Sequence, residues 1–194
     1  MMTIRTILRG TLCTSVTFAA AAFEAAVRRD ATCAMCYCGI ALAYGPELKL
    51  VADSERIALA RRAALEALHA VIADGDGADW ERELVSALYG RYSSAPTGGA
   101  GAARDSAFAS RMVQLGRRYD SPDLLALAAE ARLALDAPGD WRTVHGRWRD
   151  GAADAVAMLE AVLAARPGHP GALRMLRIVG GAPRWAAASS RREE

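Results

Sequence analysis

The chain has 194 residues, of which 53% are hydrophobic, 24% charged and 6% aromatic, and its net charge is +2. This composition excludes fibrous and wholly disordered classes and favours one domain with a sizeable core. Because positive and negative charges nearly cancel, no charge field points to nucleic acid or to a membrane surface as the partner.

Helical periodicity dominates the first half of the chain, whose many alanines and arginines are good helix formers. We interpret residues 1–15 as a ragged N-terminus, and a short apolar run there leaves a secretory signal as the alternative. The predicted helices cover 16–28, 34–44, 53–72 and 79–92. Asp53 and Asp79 are predicted to cap the third and fourth helices. An apolar stripe that includes Ala22 and Phe23 predicts the buried face of the first helix.

The second half follows the same pattern after a stretch rich in Ser, Pro and Gly at 93–103, which we interpret as a loop within a single domain. The helices predicted here cover 104–118, 122–135, 152–166 and 172–179. The Ser-Pro-Asp sequence at 121–123 is a strong helix-start signal. Residues 181–194 are interpreted as a frayed tail. The eight helices together predict an all-α fold, an irregular helical array or α-solenoid, over 16–180.

Two parts of the chain match the spacing of a known helical repeat. In helix pairs of about 34 residues, small residues stand where the helices cross and large ones fill the gaps between pairs. The corresponding positions in the first part are Ala19, Phe23, Ala26 and Ala31, with Ala31 standing where the repeat has Pro, then Tyr37, Ile40, Ala41 and Tyr44. Those in the second part are Ala155, Leu159, Val162 and Pro167. At these positions the chain resembles the tetratricopeptide family, which implies a protein-binding array whose concave face takes a peptide or a partner helix.

The segment 33–46 adds a second resemblance. It reads CAMCYCGIALAYGP, and it is similar to the Cys-Ala-Met-Cys-Tyr segment of a bacterial subgroup of tetratricopeptide proteins. Members of that subgroup are generally much longer, so the resemblance implies that this chain covers only their first part. The chain departs from the subgroup at Ala31, Thr32 and Cys38.

Three of the four cysteines, Cys33, Cys36 and Cys38, lie within six residues. This spacing is not that of a disulfide framework, so we expect a reducing, cytoplasmic compartment and cysteines that pack as small apolar side chains. Alternatively, Cys33 and Cys36, which lie about 60° apart on a helix, form a metal-binding or redox-active dithiol. Cys38 points about 200° away from Cys36 and cannot join them while the helix is intact.

No other group of residues has the spacing of a catalytic, nucleotide or cofactor site, so we expect neither an enzyme nor a resident cofactor. The segment 141–149 mixes tryptophans with arginines, and its aromatic rings either stack on a ligand or, as we favour, pack back on the array. The bulky residues expected near a partner-binding face are Tyr37, Tyr44, Trp80 and Trp148. The sequence therefore predicts a non-catalytic module that binds a protein or peptide partner, with a thiol-based function as the alternative, and it leaves the oligomeric state open.

Overall fold

A computed structural model describes residues 16–45, 54–75, 77–93, 100–136, 141–142, 145 and 147–180 and folds them into eight α-helices. The helices are α1 (Val16–Arg29), α2 (Ala34–Tyr44), α3 (Ser54–Asp74), α4 (Asp79–Tyr92), α5 (Ala100–Arg118), α6 (Pro122–Leu133), α7 (Asp150–Ala165) and α8 (Pro170–Ile178). Within these ranges, the one extended pairing is a single bridge between Arg142 and Trp148. The predicted all-α class is confirmed. The features predicted at 1–15, Asp53 and 181–194 lie outside the described residues.

The helices form an open array rather than a closed bundle. Each helix packs against the helix that follows it in the chain, and α2 also contacts α4 while α6 contacts α8. Among the eight described helices, no other pair is in contact. Neighbours in sequence are therefore neighbours in space, which is the arrangement that the sequence predicts.

Two predicted helix starts are wrong. Helix α5 begins at Ala100, inside the stretch 93–103 that was predicted as a loop, because the alanines of that stretch favour a helix. Asp79 is the first helical residue of α4 rather than its N-cap. The N-cap is Ala78, whose backbone N–H donates to the Glu81 carboxylate at 3.3 Å. Both acidic residues thus lie in the first turn, where the helix dipole favours negative charge.

Phe23 packs between α1 and α2 where the two helices cross, and it is 1% exposed. A Cβ atom added to Gly39 of α2 would lie 2.6 Å from the Phe23 ring, so the ring occupies the space that a side chain at position 39 would need. The predicted burial of Phe23 is confirmed. Ala22, placed on the same predicted stripe, is exposed because, of the described helices, α1 contacts only α2 and buries a narrow face.

Ion pairs join α4 and α5 at both ends. Near the start of α4, Glu83 accepts hydrogen bonds from Arg118 at 2.6 Å and from Arg111 at 3.2 Å, both on α5. Near the end of α4, the buried Arg91 donates to Asp105 at 2.6 Å. Since the start of each helix pairs with the end of the other, α4 and α5 run antiparallel.

The segment between α6 and α7 packs on the array through Trp141. This residue is 6% exposed, and its indole N–H donates to the Leu133 carbonyl oxygen at 3.0 Å. Trp148 is half-buried against the core, and the Arg142 guanidinium lies 3.5 Å from its ring centroid. The predicted packing of this segment is confirmed for Trp141.

Replacement of Phe23 by Ala should lower the free energy of unfolding by about 3–5 kcal/mol, because it leaves a cavity against Gly39. Urea denaturation followed by circular dichroism measures the loss. The matched control is Ala22→Ser on the exposed side of the same helix, which should change the free energy by less than about 0.5 kcal/mol. Equally small effects for the two variants would contradict the α1–α2 packing.

Removal of Trp141 should also destabilise the protein, by about 3–5 kcal/mol, since a buried ring and its hydrogen bond are lost. Trp148→Ala should cost less because that ring is only half-buried. In a variant that keeps Trp141 as its single tryptophan, fluorescence emission should be blue-shifted and poorly quenched by acrylamide. Readily quenched emission together with an unchanged melting temperature for Trp141→Ala would rule out the packing described here.

Candidate functional site

Helices α5, α6 and α7 surround a groove of about 600 Å³, which is within the size range of ligand-binding clefts. Because α6 contacts both α5 and α7 while these two do not contact each other, α6 forms the floor and the other two form the walls. The lining residues are Ser110, Val113, Gln114 and Arg117 from α5, Leu125 and Arg132 from α6, and Asp154, Ala157, Met158 and Ala161 from α7.

Both walls present the same kind of helical face to the groove. The lining residues of each wall are spaced i, i+3, i+4 and i+7, which places them on one stripe about two turns, or roughly 10 Å, long. Val113, Leu125 and Met158 supply apolar surface. The small side chains of Ala157 and Ala161 leave space between the walls, so the groove is open and partly apolar.

The two ends of the groove differ in charge. At one end, a Cβ atom on Gly116 would lie 3.0 Å from the Leu125 Cα, so α5 and α6 cross closely there. The neighbouring Arg117 is exposed, and its guanidinium has no hydrogen-bond or ion-pair partner within the described ranges. At the other end, Arg132 of α6 lies 3.8 Å from Asp154 of α7. One end therefore presents an unpaired positive charge and the other a charge pair.

A buried ionic cluster anchors the start of the floor helix. Asp123, in the first turn of α6, is 7% exposed and accepts hydrogen bonds from Arg166 at 3.1 and 3.0 Å. Its Oδ1 also lies 3.0 Å from His169 Nε2. The His169 ring is 2% exposed, and its Nδ1 accepts the backbone N–H of Ala172 at 3.1 Å, which caps α8. The cluster thus ties α6 to the turn between α7 and α8.

Both ring nitrogens of His169 are engaged in hydrogen bonds within this cluster. Burial raises the pKa of Asp123, but hydrogen bonds from His169 and Arg166 and the Arg166 charge outweigh burial and hold that pKa below its ordinary value of 3.8. Since Nδ1 accepts a backbone N–H and Nε2 faces an ionised carboxylate, the imidazole is the neutral Nε2–H tautomer. Neither nitrogen can take a proton from a substrate, so the pair is structural.

The two cysteines at the start of α2 are joined in a disulfide. The Cα atoms of Cys33 and Cys36 lie 5.3 Å apart, so the prediction that both are separate packing side chains is wrong. The reason is local geometry, because Cys33 is the N-cap with φ −70° and ψ 86° and lies outside the helical region. Cys38 does pack as predicted, since it is 0% exposed, and burial together with the Glu81 charge raises the pKa of its thiol.

The four bulky residues that were predicted to lie near a partner-binding face are partly buried and pack against the core. Tyr37 and Tyr44 belong to α2, Trp80 belongs to α4, and Trp148 lies just before α7. The Tyr44 hydroxyl donates to the Glu24 carboxylate at 2.8 Å. None of the four lines the groove, and their role in partner binding stays a prediction. The groove residues were missed, although their i, i+3, i+4, i+7 spacing is visible in the sequence.

Within the described part of the chain, no group of three or more His, Cys, Asp or Glu residues lies close enough together to hold a metal ion. None of the described helices combines the length and the hydropathy of a bilayer-spanning segment. Comparison with family models, curated proteins and solved structures gives no match to this chain. The groove, the Asp123 cluster and the disulfide are therefore interpreted from their own geometry.

The lowered pKa of Asp123 predicts a loss of stability in acid. The carboxylate stabilises the fold fully above its unfolded-state pKa, ordinarily 3.8, and this contribution is lost as the pH falls through the lower folded-state value. Thermal melts between about pH 2 and 7 should show a steeper acid decline for the wild type than for Asp123→Asn. Near neutral pH that variant should be less stable by about 1–3 kcal/mol, because Arg166 and His169 lose an ionised acceptor.

The matched control for this experiment is Asp154→Asn. Asp154 is exposed and lies 3.8 Å from Arg132, so its loss should change the free energy of unfolding by less than about 1 kcal/mol. Identical acid profiles for wild type and Asp123→Asn would show that the buried cluster does not hold the fold.

Proposed function

We propose that this chain is a non-catalytic protein-interaction module that binds an amphipathic helix of a partner protein in the groove between α5 and α7. The observation that carries the proposal is the pair of matching wall faces, each spaced i, i+3, i+4 and i+7 over the floor helix α6. A helix that lies in such a groove can place side chains of the same spacing between the walls.

The shape and chemistry of the groove favour a helix over an extended peptide. The walls do not contact each other, and Ala157 and Ala161 keep the space between them free. Val113, Leu125 and Met158 offer apolar surface for the buried face of a partner helix. A peptide that binds by strand addition would need a row of unpaired backbone groups as its partner, and helical walls have none to offer.

Charge determines how the partner helix is oriented. Arg117 lies at the end of the groove where Leu125 also lies, and its guanidinium is unpaired within the described ranges. At the opposite end, Arg132 is already close to Asp154. A carboxylate on the partner is therefore expected to meet Arg117, which would fix the direction of the bound helix.

The order of helix contacts supports the same class of function. In stacked helix pairs, one helix of each pair contacts the corresponding helix of the next pair, as α2 contacts α4 and α6 contacts α8, although α4 and α6 are not in contact. This arrangement supports the resemblance to tetratricopeptide arrays, which are protein-binding. With a net charge of +2, a protein partner is favoured over nucleic acid. We keep the cytoplasm as the expected compartment, with export as the alternative.

Selection from a displayed library of amphipathic helices against the full chain tests the proposal. Selected helices should carry apolar residues at i, i+3 or i+4 and i+7 with Asp or Glu at one end. Arg117→Glu should weaken their binding by roughly tenfold or more, since attraction becomes repulsion. A Lys in place of the acidic residue of the peptide should restore binding to that variant.

A second variant tests the shape of the groove. Ala161→Trp should fill the space between the walls and abolish binding of both peptides without loss of stability, because Ala161 is exposed. Ala58→Trp and Arg62→Glu on the exposed face of α3 are the matched controls and should bind like the wild type. Selected helices that bind all four variants equally would show that the groove is not the binding site.

A further inference from the structure

The disulfide at the start of α2 closes a very small ring. Cys33 and Cys36 are three residues apart, with their Cα atoms 5.3 Å apart. Cys33 is partly exposed, whereas Cys36 is 2% exposed. Of the two residues, Cys33 is therefore the more accessible to a thiol from another molecule.

This bond is not needed to hold its segment in place. The turn before α2 is already closed by hydrogen bonds from the Cys33 N–H to the Asp30 carbonyl at 3.3 Å and from the Thr32 N–H to the Asp30 carboxylate at 3.0 Å. The first helical bond, from the Cys36 N–H to the Cys33 carbonyl, is 3.0 Å. A ring this short removes little freedom from the unfolded chain, because the stabilisation by a disulfide grows with the size of its loop.

The position of Cys33 favours its thiolate once the bond is reduced. Its Sγ accepts the backbone N–H of Cys36 at 3.2 Å, as the N-cap of α2. A sulfur at a helix N-terminus faces unpaired N–H groups and the positive end of the helix dipole, which stabilise negative charge. The sulfur of the more exposed residue is thus also the better nucleophile at neutral pH.

We propose that Cys33 and Cys36 form a redox-active pair that exchanges disulfides with thiols of another protein or of a low-molecular-weight thiol such as glutathione. In the oxidised protein, an external thiolate attacks Cys33 Sγ, a mixed disulfide forms, and the Cys33–Cys36 bond breaks with the electron pair going to Cys36, which takes up a proton. A second external thiolate then attacks the external sulfur of the mixed disulfide. The external pair is oxidised to a disulfide, and Cys33 leaves as a thiolate.

The reverse direction uses the same two sulfurs. The Cys33 thiolate attacks an external disulfide and releases one external thiolate. The Cys36 thiol then loses its proton and attacks Cys33 Sγ, which re-forms the internal bond and releases the second external thiolate. Cys38 takes no part, because it is fully buried on the other side of α2. In a reducing compartment, protein disulfides are usually of this transient kind, so the pair fits the expected location in the cytoplasm.

Exchange with oxidised glutathione in variants that keep only one cysteine of the pair tests the proposal, with Cys13→Ser as the background so that Cys13 cannot react. In the Cys36→Ser variant, Cys33 should form a mixed disulfide with glutathione within minutes, as measured by intact-protein mass spectrometry. In the Cys33→Ser variant, the buried Cys36 should react at least tenfold more slowly. Cys38 is present in both variants and is the internal control for a buried thiol, which should remain unmodified.

Reduction of the otherwise intact protein gives an independent readout. Dithiothreitol should open the Cys33–Cys36 bond under native conditions, and two thiols should become titratable together. Helical circular dichroism should be unchanged, and the melting temperature should shift by only a few degrees. A bond that resists dithiothreitol until the protein unfolds, a large loss of helicity on reduction, or equal glutathione rates at Cys33 and Cys36 would each overturn the proposal. None of these results depends on the groove between α5 and α7.

Discussion

Where α1 crosses α2 and where α5 crosses α6, a glycine lets the two helices approach more closely than any side chain would allow. Gly39 receives the ring of Phe23, and Gly116 lies against the backbone of Leu125. In an open array, each helix depends on its few neighbours, so a lost crossing is not compensated elsewhere. The depth of the groove depends on the second crossing, because α6 can form a floor only where it lies close beneath α5.

The position and type of the helices could be predicted because a buried helical face repeats every 3.6 residues and turn residues interrupt it clearly. The helix predicted at 34–44 has those bounds in the structure, and Ser121 caps α6 through the Leu124 N–H at 3.3 Å. Boundaries were less certain where alanine extends a helix into a polar stretch, as at Ala100. The acidic residues of the first turn of α4 can be recognised in the sequence. The choice between Ala78 and Asp79 as N-cap, however, depends on backbone angles.

The candidate sites could be predicted only in part. The groove requires two helices that are not adjacent in sequence to face each other across a third, and no local pattern reports that. His169 and its partner Asp123 are 46 residues apart, so no local motif joins them. The Cys33–Cys36 spacing did indicate that the two sulfurs are close, and it was the expectation of free packing thiols that failed. The types of residue could thus be read from the sequence, whereas contacts between residues far apart in the chain could not.

The walls of the groove contact the floor but not each other. No direct contact between α5 and α7 therefore fixes their separation. It depends instead on how each helix tilts on α6. A small rotation of either wall about its contact with the floor would widen or narrow the opening while the apolar core stays packed. The width of the groove therefore depends on two separate helix contacts, that of α5 with α6 and that of α7 with α6.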